Sequence, residues 1–283
     1  MRAAPKIVLE RHNVRVIGDT GPTVVLAHGF GTTQASWNHV IDALPGDARL
    51  VLFDLIGMSA ATDQHYAVSD YPDLWAYARD LLAILAAAGI ERCHYVGHSV
   101  SGMIGLLASI RDPSRFEKLI LIGASPCYRS LEGYPGGFEQ STISAMVTAM
   151  AGDYSAWVES FAPAVAAAPR GDPTTDDFVN CLRSMRPDVA LSVALTIFGS
   201  DHRAHLPLAR TPCVVAQTRQ DMAVPMAVAA FLRDTLPDAV LEVIDAHGHL
   251  PHMAAPDQVA ALLRRHLALD RGPHPAAEPP QRS

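Results

Sequence analysis

Short runs of β-branched and aliphatic residues recur along this chain with helical segments between them. That alternation limits the fold more than any other feature. Thr23–Ala27, Arg49–Phe53, Cys93–Val96, Lys118–Ile122, Cys213–Ala216 and Leu241–Ile244 have the length and content of strands. Helical spacing of apolar residues marks Tyr71–Ala88, which stops at the C-cap signal Gly89, and also Gly102–Ile110, Met226–Leu236 and Asp257–His266. Strands that are apolar throughout and joined through helices call for a mostly parallel sheet covered on both faces, an α/β fold. Upstream, Ile7–Leu9 and Val14–Ile17 flank Arg11-His12-Asn13 and are expected to form a hairpin.

The alternation breaks between about Ser125 and Leu206, where helical segments are expected around Ser144–Met150, Ala156–Ala168, Asp176–Met185 and Val189–Ile197. A helical insertion between two strands forms a lid over the C-terminal edge of the sheet. The expected organisation is a core of residues 7–124 and 207–268, a helical lid of residues 125–206, and a proline-rich, disordered tail at 269–283.

With 49% hydrophobic and 18% charged residues the chain is not intrinsically disordered. A net charge of −7 argues against nucleic acid or an anionic membrane as partner. No apolar run approaches the roughly 20 residues of a membrane span. The opening Met1-Arg2-Ala3-Ala4-Pro5-Lys6 lacks the apolar segment of a secretory signal, and Cys93, Cys127, Cys181 and Cys213 form no Cys-x-x-Cys. Reduced thiols and a cytoplasmic location are the expectation.

The strongest local signal is Tyr95-Val96-Gly97-His98-Ser99-Val100-Ser101-Gly102, set between a strand and a helix. A sharp strand-to-helix turn with small neighbours lifts a serine hydroxyl clear of the sheet. Here Ser101 replaces the usual final glycine. A hydroxyl becomes a nucleophile only when a base takes its proton and a third group orients the base. Asp221 follows the strand Cys213–Ala216, and His249 follows Leu241–Ile244, in the chain order such an arrangement needs. Asp201, Asp234 and Asp245 compete for the acid, and His247 and His252 for the base. Gly248 would let its loop turn the next residue, His249, toward the serine.

Acyl transfer also needs donors for an oxyanion. The backbone amides of Val100, directly after the serine, and of Phe30, in His28-Gly29-Phe30-Gly31, are the natural candidates. A rival reading takes His247, His249 and His252 as metal ligands, with His202 and His205. Pro251 stiffens that segment, and neither a second ligand cluster nor an H-x-x-E-H pattern is present. No metal and no organic cofactor is expected.

On these residues the chain resembles the α/β-hydrolase fold group that contains the bacterial general-stress regulatory hydrolase, which works with a PAS-domain phosphatase, and the plant karrikin and strigolactone receptors. The resemblance runs from about Val14 to His266. It is carried by His28-Gly29-Phe30-Gly31-Thr32, Gly97-His98-Ser99-Val100-Ser101, Ser125-Pro126-Cys127-Tyr128, Gly136-Gly137-Phe138-Glu139, Ser200-Asp201-His202-Arg203 and Gly248-His249-Leu250-Pro251-His252. It implies Ser99 as nucleophile, His249 as base and Asp221 as acid. It also implies a lid of four helices over an apolar pocket, and hydrolysis of small hydrophobic esters or butenolide-type lactones. Phe30, Phe138, Trp157, Phe161 and Phe198 are the expected pocket residues. Ile56-Gly57-Met58-Ser59 lacks a second glycine that relatives tend to carry. A slow-hydrolysing receptor that signals through a protein partner keeps the same residues and stays open beside a metabolic esterase. C–C bond hydrolysis and perhydrolysis use the same machinery.

Overall fold

In the computed structural model the described residues are 4–44, 46 and 48–269. In chain order they form α1 (Pro5–Arg11), β1 (Arg15–Ile17), β2 (Thr23–Ala27), α2 (Asn38–Asp42), β3 (Arg49–Phe53), α3 (Leu74–Ala87), β4 (Cys93–His98), α4 (Val100–Arg111) and β5 (Phe116–Ile122). There follow α5 (Gln140–Gly152), α6 (Tyr154–Ala166), α7 (Pro173–Ser184), α8 (Pro187–Gly199), β6 (Cys213–Gln220), α9 (Met226–Thr235), β7 (Ala239–His247), α10 (Pro251–Ala254) and α11 (Pro256–Leu267).

The sheet has the order β1-β3-β2-β4-β5-β6-β7, parallel apart from β1, which runs antiparallel to β3. Its central strands present apolar residues to both faces because both faces are covered. Val25, Val51, Tyr95, Leu119 and Val215 pack under α3, α4 and α9, while Val24, Leu50, Val96, Ile120 and Val214 face α2 and α11. The chain leaves β2 toward β3 on one side and continues from β4 toward β5 on the other. That reversal puts a crevice beyond the carboxyl ends of β2 and β4, the usual ligand position in such sheets. Between β5 and β6, α5 to α8 are inserted, with α6 packed against α5 and α7, and α5 against α8.

One sequence expectation fails at the start. Ile7–Leu9 is not a strand of a hairpin but the middle of α1, and β1 pairs with β3 instead. Pro5 occupies the first helical turn, where its missing N–H is no loss, Lys6 and Glu10 pair at i,i+4, and Val8 turns inward to the core. In the departing loop, Met58 is fully buried beside Gly57, whose φ is 73°. The stretch expected as a tail, 269–283, lies outside the described residues except for Leu269, which is buried in the second core cluster. All four cysteines are free thiols, three of them buried. Among the described residues no helix is long and apolar enough to cross a membrane.

The two faces of the sheet predict different tolerance. Leu121→Ala, in fully buried β5, is expected to lower the unfolding free energy by about 2–5 kcal/mol. Val243→Ala, 47% exposed on the edge strand β7, is expected to change it by no more than about 0.5 kcal/mol. Urea unfolding of both variants checks the contrast.

Candidate active site

Ser99 stands between β4 and α4 with φ 55° and ψ −124°, a backbone conformation that non-glycine residues rarely take. Two bonds fix it: the Ser99 amide donates to the Ile122 carbonyl on β5 at 2.8 Å, and the Ser99 carbonyl accepts from the Gly102 amide at 2.9 Å. Glycine is required at position 97, because a Cβ there would lie 2.6 Å from the Ser101 backbone. Ser101 fits the last place of the motif and uses its hydroxyl, which donates to the His28 carbonyl at 2.5 Å.

Loops at the ends of β6 and β7 complete the group. His249 Nε2 lies 2.8 Å from Ser99 Oγ, and His249 Nδ1 lies 2.7 Å from Asp221 Oδ2. Asp221 Oδ1 accepts from the amides of Ala223 and Val224 at 2.8 and 3.0 Å. Burial of Asp221 works against its charge, but the adjoining His249 and those amides outweigh it and hold the carboxyl below its ordinary value. With Asp221 accepting at Nδ1, the imidazole presents Nε2 to the hydroxyl as an acceptor. Gly248, at φ 84°, makes the turn that aims His249 inward.

The competitors lie elsewhere. Asp201 pairs with Arg203, Asp234 with Arg233 and Asp245 with Arg219, and His247 is exposed at the end of β7. His252 is fully buried behind the site, its ring 4.3 Å from that of His98 and 4.7 Å from that of Trp37. His202 and His205 face each other at 5.4 Å near Trp75. No group of three or more His, Cys, Asp or Glu among the described residues is placed to hold a metal.

The serine opens onto a cavity of about 40 Å³. Phe30, Phe138, Phe161 and Phe198 line it, as does Val100 at the start of α4. Trp157 does not: it stacks behind Phe161 at 4.6 Å, so that its expected place in the pocket is corrected to packing on α6. Phe178, Val165 and Ile197 line it in addition, and none of the three was singled out from sequence. Tyr128, from the Ser125-Pro126-Cys127-Tyr128 segment, lines it as well, with no local pattern to single it out. Its buried hydroxyl is 3.1 Å from Ser99 Oγ, and burial pushes its acidity well below that of a free phenol. An apolar cavity of about 150 Å³ admits benzene, so a ring-sized ligand here must displace phenylalanine side chains. A larger open groove of about 840 Å³ between α1 and α3 contains no serine or cysteine.

The family profile of the α/β-hydrolase fold matches residues 22–256, and the chain belongs to that family. It is 44% identical over 266 residues to a probable esterase of Oryza sativa subsp. japonica, covering 93% of this chain and 98% of the relative. It is 44% identical over 261 residues to a strigolactone esterase of Arabidopsis thaliana, covering 92% and 97%. It is 42% identical over 265 residues to a karrikin insensitive 2 receptor of Petunia hybrida, covering 93% and 98%. Among solved structures, a hydrolase from Oleispira antarctica has a TM-score of 0.90 at 29% identity, covering 95% of this chain and 98% of that one. These relatives agree with the plant side of the resemblance drawn from the sequence.

Around His249 the other buried imidazoles stay neutral. Burial pushes His28 and His98 below the ordinary value, and His252 down to about 3. The unfolded chain therefore binds more protons than the folded one between about pH 6.5 and 3, and stability falls as pH drops through that window. His252→Phe is expected to flatten this acid-side loss. Urea midpoints compared at pH 7 and pH 4.5 for both proteins check it.

Proposed function

We propose that this chain is a serine hydrolase of small hydrophobic esters or lactones, with Ser99 as nucleophile, His249 as base and Asp221 as acid. The observation that carries the reading is the unbroken relay from Ser99 Oγ through His249 to Asp221 at 2.8 and 2.7 Å. Ser99 attacks the carbonyl carbon while His249 Nε2 takes its proton, and Asp221 keeps the imidazole in the right tautomer and stabilises its charged form. The negative oxygen of the tetrahedral intermediate is stabilised by the amides of Phe30 and Val100. Val100 is the first residue of α4, where the backbone N–H has no helical partner and the helix dipole favours an anion. His249 then gives its proton to the leaving alcohol, activates water in the same way, and frees the acid.

In this reading the core comprises residues 7–124 and 207–268, and residues 125–206 are a lid that carries Phe138, Phe161 and Phe198 over the serine. The aromatic lining and the small cavity favour compact, apolar acyl groups. The machinery uses no metal and no organic cofactor. A second reading is supported by the receptor named among the relatives: hydrolysis is slow, and the occupied site signals through a protein partner that meets the lid.

A short ester series and a butenolide lactone separate the two. Ser99→Ala is expected to reduce turnover by at least about 10³-fold, with rates in the wild type falling as the acyl chain lengthens. Slow turnover, with a lactone that shifts the melting temperature of Ser99→Ala, favours the receptor. Full activity in Ser99→Ala contradicts both.

A further inference from the structure

Gln217 lies on β6, four residues before Asp221, and is 1% exposed. Its Nε2 donates to Asp221 Oδ2 at 3.0 Å and to the Val224 carbonyl at 2.9 Å. Asp221 Oδ2 is also the oxygen facing His249 Nδ1. Four donors therefore surround the carboxylate: the Ala223 and Val224 amides on one oxygen, and His249 and Gln217 on the other. Both partners of Nε2 are acceptors, and this settles the orientation of the amide, since a flipped group would set Oε1 against two oxygens. The same orientation leaves Oε1 buried with no partner among the described residues. The side chain is thus directed by what it gives to Asp221 and the following turn, at the expense of its own oxygen.

We propose that Gln217 is a positioning residue for the hydrolysis, a role that rests on the Ser99–His249–Asp221 reading. By donating to the oxygen that His249 uses, it fixes the plane of the Asp221 carboxylate and draws off part of its negative charge. The carboxylate then steadies the protonated imidazole without holding the proton so tightly that it is withheld from the leaving group. Other groups face the pair from neighbouring elements: His98 from the end of β4, Ser99 from the turn after it, Tyr128 from the loop after β5, and His252 from α10. All are neutral near pH 7, and among the described residues Gln217 is the side chain, besides His249, that donates to Asp221. Gln217 does not line the cavity, so its effect falls on chemistry and not on substrate binding.

The test is the pH profile of kcat and kcat/KM for phenyl acetate, using the full chain as wild type, Gln217→Met, Gln217→Leu and Ser99→Ala. Gln217→Met keeps the volume and removes the donor. It is expected to lower kcat about tenfold with KM within about twofold, and to move the acid limb up by about 0.5–1 pH unit, because the unrelieved carboxylate favours protonated His249. Gln217→Leu also removes the donor without adding a titratable group, and decides the matter if the methionine variant does not fold. The same limb is expected to rise. Ser99-dependent activity with unmoved limbs in the folded variants would reduce Gln217 to packing and overturn this proposal alone. Activity retained in Ser99→Ala would overturn the triad reading and this proposal together.

Discussion

The site depends on holding one residue where it does not want to be. Ser99, at φ 55° and ψ −124°, carries a backbone strain of order 1–3 kcal/mol. It persists because the elements on either side cannot yield: β4 lies in the middle of the sheet, and every residue of α4 from Val100 to Ser109 is buried. The close crossing of strand and helix is what demands glycine at 97 and a small residue at 101. The placement of the hydroxyl at the cavity is therefore a product of the whole core.

The partners of that hydroxyl are fixed by the same sheet. β6 and β7 are neighbours, so the loops after them are delivered side by side, with Gln220 opposite His247. The backbone around His249 is then held from three directions. The Gly248 amide donates to Gln220 of β6, the His249 amide donates to Val165 of α6 at 2.8 Å, and the His249 carbonyl lies 2.6 Å from His98 Nε2. One of these bonds comes from the inserted helices. α6 cannot lift away from the core without releasing the histidine amide, so the insertion and the base are mechanically joined.

Much of this was legible in the sequence because it follows from local chemistry. Strand-length apolar runs gave the sheet, and a small-residue turn with a late aspartate and histidine gave the three residues that the structure places in contact. Ile7–Leu9 misled because three apolar residues have no measurable period, and the helix there shows itself only through Pro5 and the Lys6–Glu10 spacing. Trp157 and Phe161 are one helical turn apart on α6 and look equivalent. Which of two stacked rings reaches the cavity is decided by how the helix docks, and no local pattern carries that. Tyr128, Phe178 and Ile197 enter through long-range approach as well. Gln217 left a fainter signal, a polar residue directly after an otherwise apolar strand run, and its partner became visible only once the acid loop had folded back over it.

The central claim is that Ser99 carries the acyl group while His249 activates it. It is tested most directly by rapid-quench intact-mass measurement with 4-nitrophenyl acetate, followed by peptide mapping. The account predicts a single acetyl adduct on Ser99, absent in Ser99→Ala and formed at least about 10³-fold more slowly in His249→Ala. An adduct on another residue, or turnover with no dependence on Ser99, would contradict it.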